Sequence, residues 1–394
     1  TGAGNYTLNK TALTGTGTIA KRALTLGAVA AQTKTYDGTR AADTAKFSAG
    51  LNNVVAGDNV MAAAAGATYN DKNVAAANLV NYTGVALAGA DAGNYTLAAG
   101  AAQGTGSITR RALTVDTVAA QSKTYDGTTA ADAAAFRATL GNLVAGEESS
   151  VAATAMGAAY NDKNVAGANR IDYTGIALTG TGAANYTVAD TAQGAGTITK
   201  RALTLGEVTA QTKTYDGTTA ADASKFRAAL GNTIAGDNVT AAAATATFND
   251  KNVAAANRID YTGVALAGAD AGNYTLAATM AQGAGTITPR TLTVGTVAAQ
   301  TKTYDGTTAA DAAAFRATLG NLVAGEESSV VATAAGAAYN DKNVAAANAV
   351  SYTGVALTGT GAGNYSLAAA TAQGAGTITK RALTLGEVTA QTKT

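Results

Sequence analysis

The hexapeptide Lys34-Thr-Tyr36-Asp37-Gly38-Thr39 returns around Tyr125, Tyr215 and Tyr304, so the tyrosines stand 89, 90 and 89 residues apart. Three further landmarks keep the same phase. They are Asn-Asp-Lys-Asn-Val (from Asn70, Asn161, Asn249 and Asn340), Tyr-Thr-Gly (Tyr82, Tyr173, Tyr261, Tyr352) and Asn-Tyr (Asn94, Asn185, Asn273, Asn364). Self-similarity at a fixed period decides the architecture before any local pattern does. It divides the 394 residues into four units of about 90, each within the ordinary size of a domain.

The natural boundaries are the basic pairs or their equivalents, Lys21-Arg22, Arg110-Arg111, Lys200-Arg201, Pro289-Arg290 and Lys380-Arg381. The repeats are then 22–110, 111–200, 201–289 and 290–380. Residues 1–21 match the C-terminal part of a repeat, and 381–394 repeat 201–214 residue for residue. Both are expected to be parts of truncated repeats in a longer array. No Pro/Ser-rich linker separates the units, so the expected partner of each is its neighbour in the chain and the expected arrangement an extended rod. The array also alternates. Repeats 2 and 4 carry Gly-Glu-Glu-Ser-Ser around Glu147 and Glu326, where repeats 1 and 3 carry Gly-Asp-Asn-Val around Asp58 and Asp237.

Within a repeat the apolar side chains alternate with small or polar ones, as in Arg111-Ala-Leu113-Thr-Val115 and Asn94-Tyr95-Thr96-Leu97, the period of strands. Abundant Gly and Thr oppose helix despite the alanine content. The odd spacing between Tyr173 and Ile176 predicts a β-bulge at Thr174-Gly175. The stretch 132–141 has a capping aspartate, an i, i+4 pair Phe136/Leu140 and a terminal glycine, which predicts one short helix per repeat. A parallel β-helix would need self-similarity at one coil, roughly 20 to 30 residues, and only the whole pattern recurs. The fold class expected is all-β, a tandem array of small β-sandwich (Ig-like) domains.

Cysteine and histidine are both absent, which removes disulfides, thiol chemistry, the usual zinc sites and the commonest general base. The expectation is no enzyme, no catalytic residue, no cofactor and no metal. Net charge is +1 with 13% charged residues, so no nucleic-acid stripe is present, and no apolar run is long enough for a membrane span.

The residues singled out are those of the repeated motif: Tyr36, Asp37, Gly38; Tyr125, Asp126, Gly127; Tyr215, Asp216, Gly217; and Tyr304, Asp305, Gly306. A binding carboxylate is conceivable there. The simpler reading is a turn, with Asp bonding nearby backbone, Gly accepting positive φ and Tyr burying its ring. Asn70-Asp71-Lys72-Asn73 reads as a hairpin tip. Calcium at Asp58-Asn59 or Asp91 lacks any EF-hand or glycine-rich nonapeptide spacing, and Gly359-Thr-Gly361-Ala-Gly363 lacks a phosphate-loop lysine. The Asn-Tyr-Thr/Ser sequons could carry sugar, yet an asparagine before a strand is commonly a turn residue. Lys34 is in phase with Asn94 and Asp71, as an isopeptide crosslink would require, without any sign of proximity. The unit-specific charges, Glu147-Glu148 against Asp58-Asn59, read as surface variation and poor anchors.

Lys-Thr-Tyr-Asp-Gly-Thr-Thr, Ala-Gly-Asp-Asn-Val, Asn-Asp-Lys-Asn-Val, Tyr-Thr-Gly-Val-Ala-Leu-Ala-Gly-Ala-Asp-Ala-Gly-Asn-Tyr-Thr-Leu and the closing Ile-Thr occur in fixed order. In these the chain resembles the YDG-type repeats of large bacterial surface exoproteins, including filamentous-haemagglutinin-like adhesins exported by two-partner secretion. The resemblance implies an extracellular or cell-surface, outer-membrane-associated setting. It implies a structural stalk projecting a distal binding region, any host or matrix surface being met by other parts of the parent protein. The alternative is a multivalent, low-affinity module for host glycans, proteins or biofilm matrix. It implies no catalytic residues.

Overall fold

The computed structural model describes residues 3–7, 12 and 14–391. The chain forms two compact units, Thr1–Thr199 and Lys200–Thr394, each holding two repeats. Among the described residues all regular structure is strand, apart from three-residue 3-10 turns.

The first repeat contains β1 (Arg22–Val29), β2 (Gln32–Thr35), β3 (Ala49–Asn52), β4 (Met61–Ala63), β5 (Gly66–Tyr69), β6 (Leu79–Thr83), β7 (Ala86–Ala88), β8 (Tyr95–Leu97) and β9 (Ala101–Thr109). One sheet has the order β2-β9-β6-β5, the facing one β3-β1-β8, and the β4-β7 pair lies next to β3 and β8. Strands β2 and β9 are parallel, as are β1 and β8, while β6 is antiparallel to both β5 and β9. The other three repeats use the same pairings, and every strand ladder stays inside 22–109, 111–199, 201–288 or 290–379. Residues 14–21 and 381–391 form no strand.

Alternation fills the space between the sheets. Val80 and Tyr82 on β6, Tyr69 on β5 and Ile108 on β9 are all buried, and Leu26, Val29 and Leu97 pack against them from the other sheet. Phe47 lies against Tyr82 with ring centroids 4.6 Å apart. Gln32, almost fully buried, donates to the Tyr82 hydroxyl at 3.0 Å and to the Asp43 carbonyl at 2.7 Å, so this polar intrusion is satisfied. Arg22 Nη2 at the head of β1 donates to Asn53 Oδ1 at 2.6 Å, and Asn53 sits at φ 75°. A short Asx side chain tolerates this left-handed turn where a branched one would not.

Two sequence expectations fail here. The helix over 132–141 is a three-residue 3-10 turn, Ala133–Ala135, capped by Asp132, whose carboxylate accepts the Ala134 N–H at 2.9 Å. Phe136 leaves that turn extended to pack on Tyr173 at 4.7 Å, and residues Ala138–Gly141 form a strand. Burying the aromatic ring and pairing the backbone in the sheet outweigh a marginal helix of two turns. The expected bulge at Thr174-Gly175 is a change of sheet. Arg170–Thr174 pairs in the four-stranded sheet and Ala177–Thr179 with Ala152–Thr154, the chain turning at Gly175 with φ 64°. The odd spacing reflects a strand that serves two sheets in succession. The register does shift on the first strand, between Leu26 and Val29 against β3.

Candidate functional site: the YDG turn and the joint between repeats

Tyr36 follows β2, where Thr33 and Thr35 face solvent while buried Gln32, half-buried Lys34 and the buried Tyr36 ring lie on the inward face. Asp37 Oδ1 accepts the Thr39 N–H and Thr39 hydroxyl, both at 2.9 Å, and takes the Lys34 ammonium at 2.7 Å. Lys34 Nζ also donates to the Thr39 and Ala41 carbonyls at 2.9 and 2.8 Å and sits 5.3 Å from the centre of the Tyr69 ring. Gly38 supplies the positive φ of 77°. The ion pair recurs as Lys123–Asp126, Lys213–Asp216 and Lys302–Asp305, at 2.7, 2.8 and 3.0 Å. Burial pushes the Asp37 carboxyl up, but the Lys34 and Thr39 bonds outweigh it and leave it below the usual range. Asp305 is held at about 2, first by the Thr307 N–H and then by Lys302. This carboxylate is consumed by its own turn.

The tyrosine looks the other way, into the next repeat. Tyr36 Oη donates to Glu147 Oε1 at 2.6 Å, and Tyr186 Oη, from Glu147's own repeat, donates to Oε2 at 2.6 Å. The two tyrosine rings meet edge to face, centroids 5.3 Å apart at 80°. Lys72 Nζ stands 3.8 Å from Oε1. Beside them Asn185, 4% exposed, accepts the Val74 N–H and donates to Asn73 Oδ1, both at 2.9 Å. Asn73 is itself held by Asp71, which accepts its backbone N–H at 2.7 Å and its side-chain N–H at 2.9 Å. Leu113, Val151 and Tyr186 of the second repeat continue the apolar core of the first.

The second unit builds the same joint. Tyr215 and Tyr365 both donate to Glu326 at 2.6 Å, their rings stand 5.3 Å apart, and Asn364 bonds Val253 N–H and Asn252 at 2.8 and 2.9 Å. Burial is the largest influence on Glu147 and acts upward, yet the bonds from Tyr186 and Tyr36 and the nearby Lys72 bring its carboxyl below the usual range. Burial, then the bond to Glu147, pushes the Tyr186 phenol up to about 12 and Tyr36 higher still.

A family model described as the YDG domain matches residues 20–103, 109–193, 199–281 and 288–372, most of the chain. The chain belongs to the YDG domain family. No curated protein sequence matches at a significant level. Among solved structures, the Drosophila N-cadherin EC1-4 structure aligns at 8% identity and TM-score 0.23, over 92% of this chain and 100% of that one. The protocadherin gammaB7 EC3-6 cis-dimer aligns at 9% and 0.28, over 89% and 100%, and Sidekick-1 immunoglobulin domains 1-5 at 9% and 0.24, over 90% and 80%. Likeness at that level carries no argument about the YDG repeats.

The twelve motif residues of the four YDG domains therefore divide by role. Asp37, Asp126, Asp216 and Asp305 close turns, with Gly38, Gly127, Gly217 and Gly306 at φ between 77° and 83°. Tyr36, Tyr125 and Tyr215 are buried and Tyr304 is half-buried. The joint's carboxylate was not among the expected site residues. Glu147, read from sequence as surface variation, is only 17% exposed at its side chain and holds two repeats together. The signal was the alternation: Asp58 and Asp237 in the equivalent place each accept the tyrosine of their own repeat, Tyr95 and Tyr274, at 2.5 Å. The sequon asparagines Asn185 and Asn364 have their side chains bonded and buried, so as folded they cannot accept sugar, whereas Asn94 is exposed. Lys34 pairs with Asp37 rather than with Asn94 or Asp71. Asp91 accepts the Asn59 N–H at 2.8 Å. Among the described residues no helix is long and apolar enough to cross a membrane, and no three acidic side chains converge as a metal site.

Proposed function

We propose that this chain is a run of non-catalytic stalk repeats from an extracellular, surface-attached bacterial adhesin of the filamentous-haemagglutinin-like kind, holding a distal binding region away from the cell. The observation that carries this reading is the use of Tyr36, Glu147 and Asn185, with Tyr215, Glu326 and Asn364 repeating it, on the neighbouring repeat. Interface hot spots are enriched in tyrosine, tryptophan and arginine near the centre of a desolvated patch. Here tryptophan is absent, and Tyr36, Tyr186, Tyr215 and Tyr365 are committed to repeat-to-repeat packing. The recurring Phe47, Tyr69 and Tyr82 lie in the core, which leaves few aromatic faces for a sugar or protein ligand.

The test is competition. Purified chain, added in excess, is expected to leave attachment of the parent bacterium to host cells unchanged, while the distal part of the parent protein blocks it. Saturable binding of this chain to a defined glycan or protein would replace the stalk by a multivalent module, whose weak sites at a fixed period gain avidity.

A further inference from the structure

The way the chain enters and leaves each repeat decides how the repeat meets tension. In the first repeat the chain enters at Arg22 and runs through β1 and β2 with only two residues between them, then leaves at the end of β9, Thr109. Strand β2 is parallel to β9, in the register Gln32↔Gly106, Thr33↔Ser107, Lys34↔Ile108 and Thr35↔Thr109. Entry and exit therefore lie at opposite ends of the strand axis. Had β2 and β9 been antiparallel, the chain would have entered β2 and left β9 on one side.

We propose that each repeat is a load-bearing element, in which tension along the chain is met by the parallel pairing of its second strand with its last, strained in shear. Pulling on the ends drives β2 toward its start and β9 toward its finish, so the bonds between them are loaded together and must fail together. In a zipper geometry they are loaded one at a time. The ladder is extended by Tyr36 N–H donating to the Thr109 carbonyl at 2.9 Å and reinforced by the Thr33–Ser107 hydroxyl bond at 2.8 Å. Lys34 braces the end of β2 against the turn that follows through its bonds to Asp37, Thr39 and Ala41. All four repeats keep the device, with Tyr125, Tyr215 and Tyr304 N–H donating to Thr199, Thr288 and Thr379 at 2.9 Å beyond parallel ladders of the same register. This deepens the stalk reading and can fail without it, since a spacer that stretches easily is still a spacer.

Single-molecule pulling on the whole chain tests it. The sequence has no cysteine, so engineered pairs define the points of attachment. Leu79 and Thr105 face each other at one end of the antiparallel β6–β9 ladder, and both are exposed. Handles on L79C and T105C open that ladder as a zipper. Handles on Lys21→Cys and Arg110→Cys, both exposed, load the first repeat end to end, so both directions unfold the same folded repeat and a difference in force reports geometry rather than stability, forced unfolding being governed by the unfolding rate. Rupture end to end is expected at no less than twice the force of rupture through Leu79→Cys and Thr105→Cys. Equal forces, or a weaker end-to-end direction, overturn the proposal. Arg258 and Ala284, the equivalent pair of the third repeat, give an independent second reading if the first variant does not fold.

Discussion

Glu147 and Tyr36 lie 111 positions apart in the chain and 2.6 Å apart in space, across the joint between two repeats. The same carboxylate takes Tyr186 on its other oxygen, so one side chain ties its own repeat's interior to its neighbour's. Replacing Glu147 by Ala leaves two phenol hydroxyls without their acceptor, at a cost of about 1–3 kcal/mol. Glu147→Asp discriminates further. The shorter side chain is expected to keep Tyr186, as Asp58 keeps Tyr95, and to lose Tyr36. Urea unfolding of the whole chain should show an intermediate step for E147A, with E147D falling between it and the parent.

How much of this was legible depends on range. Tyr69, Tyr82 and Phe47 announce a core because they return at one phase, and Leu24 and Ile108 announce strands because their neighbours alternate. The segment around Phe136 misled because capping and spacing are local signals, while Phe136 packs on Tyr173, which is far along the chain. Glu147 misled for a related reason. A lone carboxylate among Gly, Glu and Ser has no local sign of burial, and only the partner tyrosine in the preceding repeat makes it structural.

Asn185 and Asn94 occupy one repeat position with different fates. Asn185 is buried in the joint and satisfies the Val74 N–H, whereas Asn94 is exposed. Asn185→Ala should cost about 1–3 kcal/mol by orphaning that amide. Asn94→Ala should lie within about 0.5 kcal/mol of the parent, as surface changes usually do. Matched thermal melts of the two variants check the contrast.

Gly38 and Gly306 make a second pair of equivalents. Both have positive φ, so alanine strains either turn by roughly 1 kcal/mol. A Cβ on Gly38 would also come within 2.8 Å of Val144 in the next repeat, while one on Gly306 meets nothing within 4 Å. G38A is therefore expected to be the more damaging in denaturant titration, and Gly217→Ala, facing Val323 at 2.9 Å, should behave like it.

The joint should hold over a wide pH range with a limit at each end. Glu147 is depressed in the folded chain, so its stabilisation is complete above the ordinary glutamate value of about 4.3 and is lost as pH falls through the lower folded value. Tyr186 is raised, so its contribution is complete below the ordinary tyrosine value of about 10 and is lost as pH rises through about 12. Unfolding midpoints followed from acid to alkali should show both limbs, and E147A should flatten the acid one.

Tyr69 and Tyr339 offer a natural experiment already made by the sequence. Their hydroxyls are buried and find no hydrogen-bond partner, and burial pushes both phenols up. The third repeat has Phe248 at this position, with the same lysine over the ring, Lys213 at 5.4 Å against 5.3 Å for Lys34 over Tyr69. Burying a hydroxyl without a partner costs about 1–3 kcal/mol by protein mutational scales, while the ring and its packing are retained on its removal. Tyr69→Phe and Tyr339→Phe are therefore expected to leave stability unchanged or raise it, and Phe248→Tyr to lower it. Equilibrium unfolding of the three variants decides the matter: a loss of more than about 1 kcal/mol in Y69F would mean that the hydroxyl has a partner in solution and that the core around β5 is wetter than its packing implies.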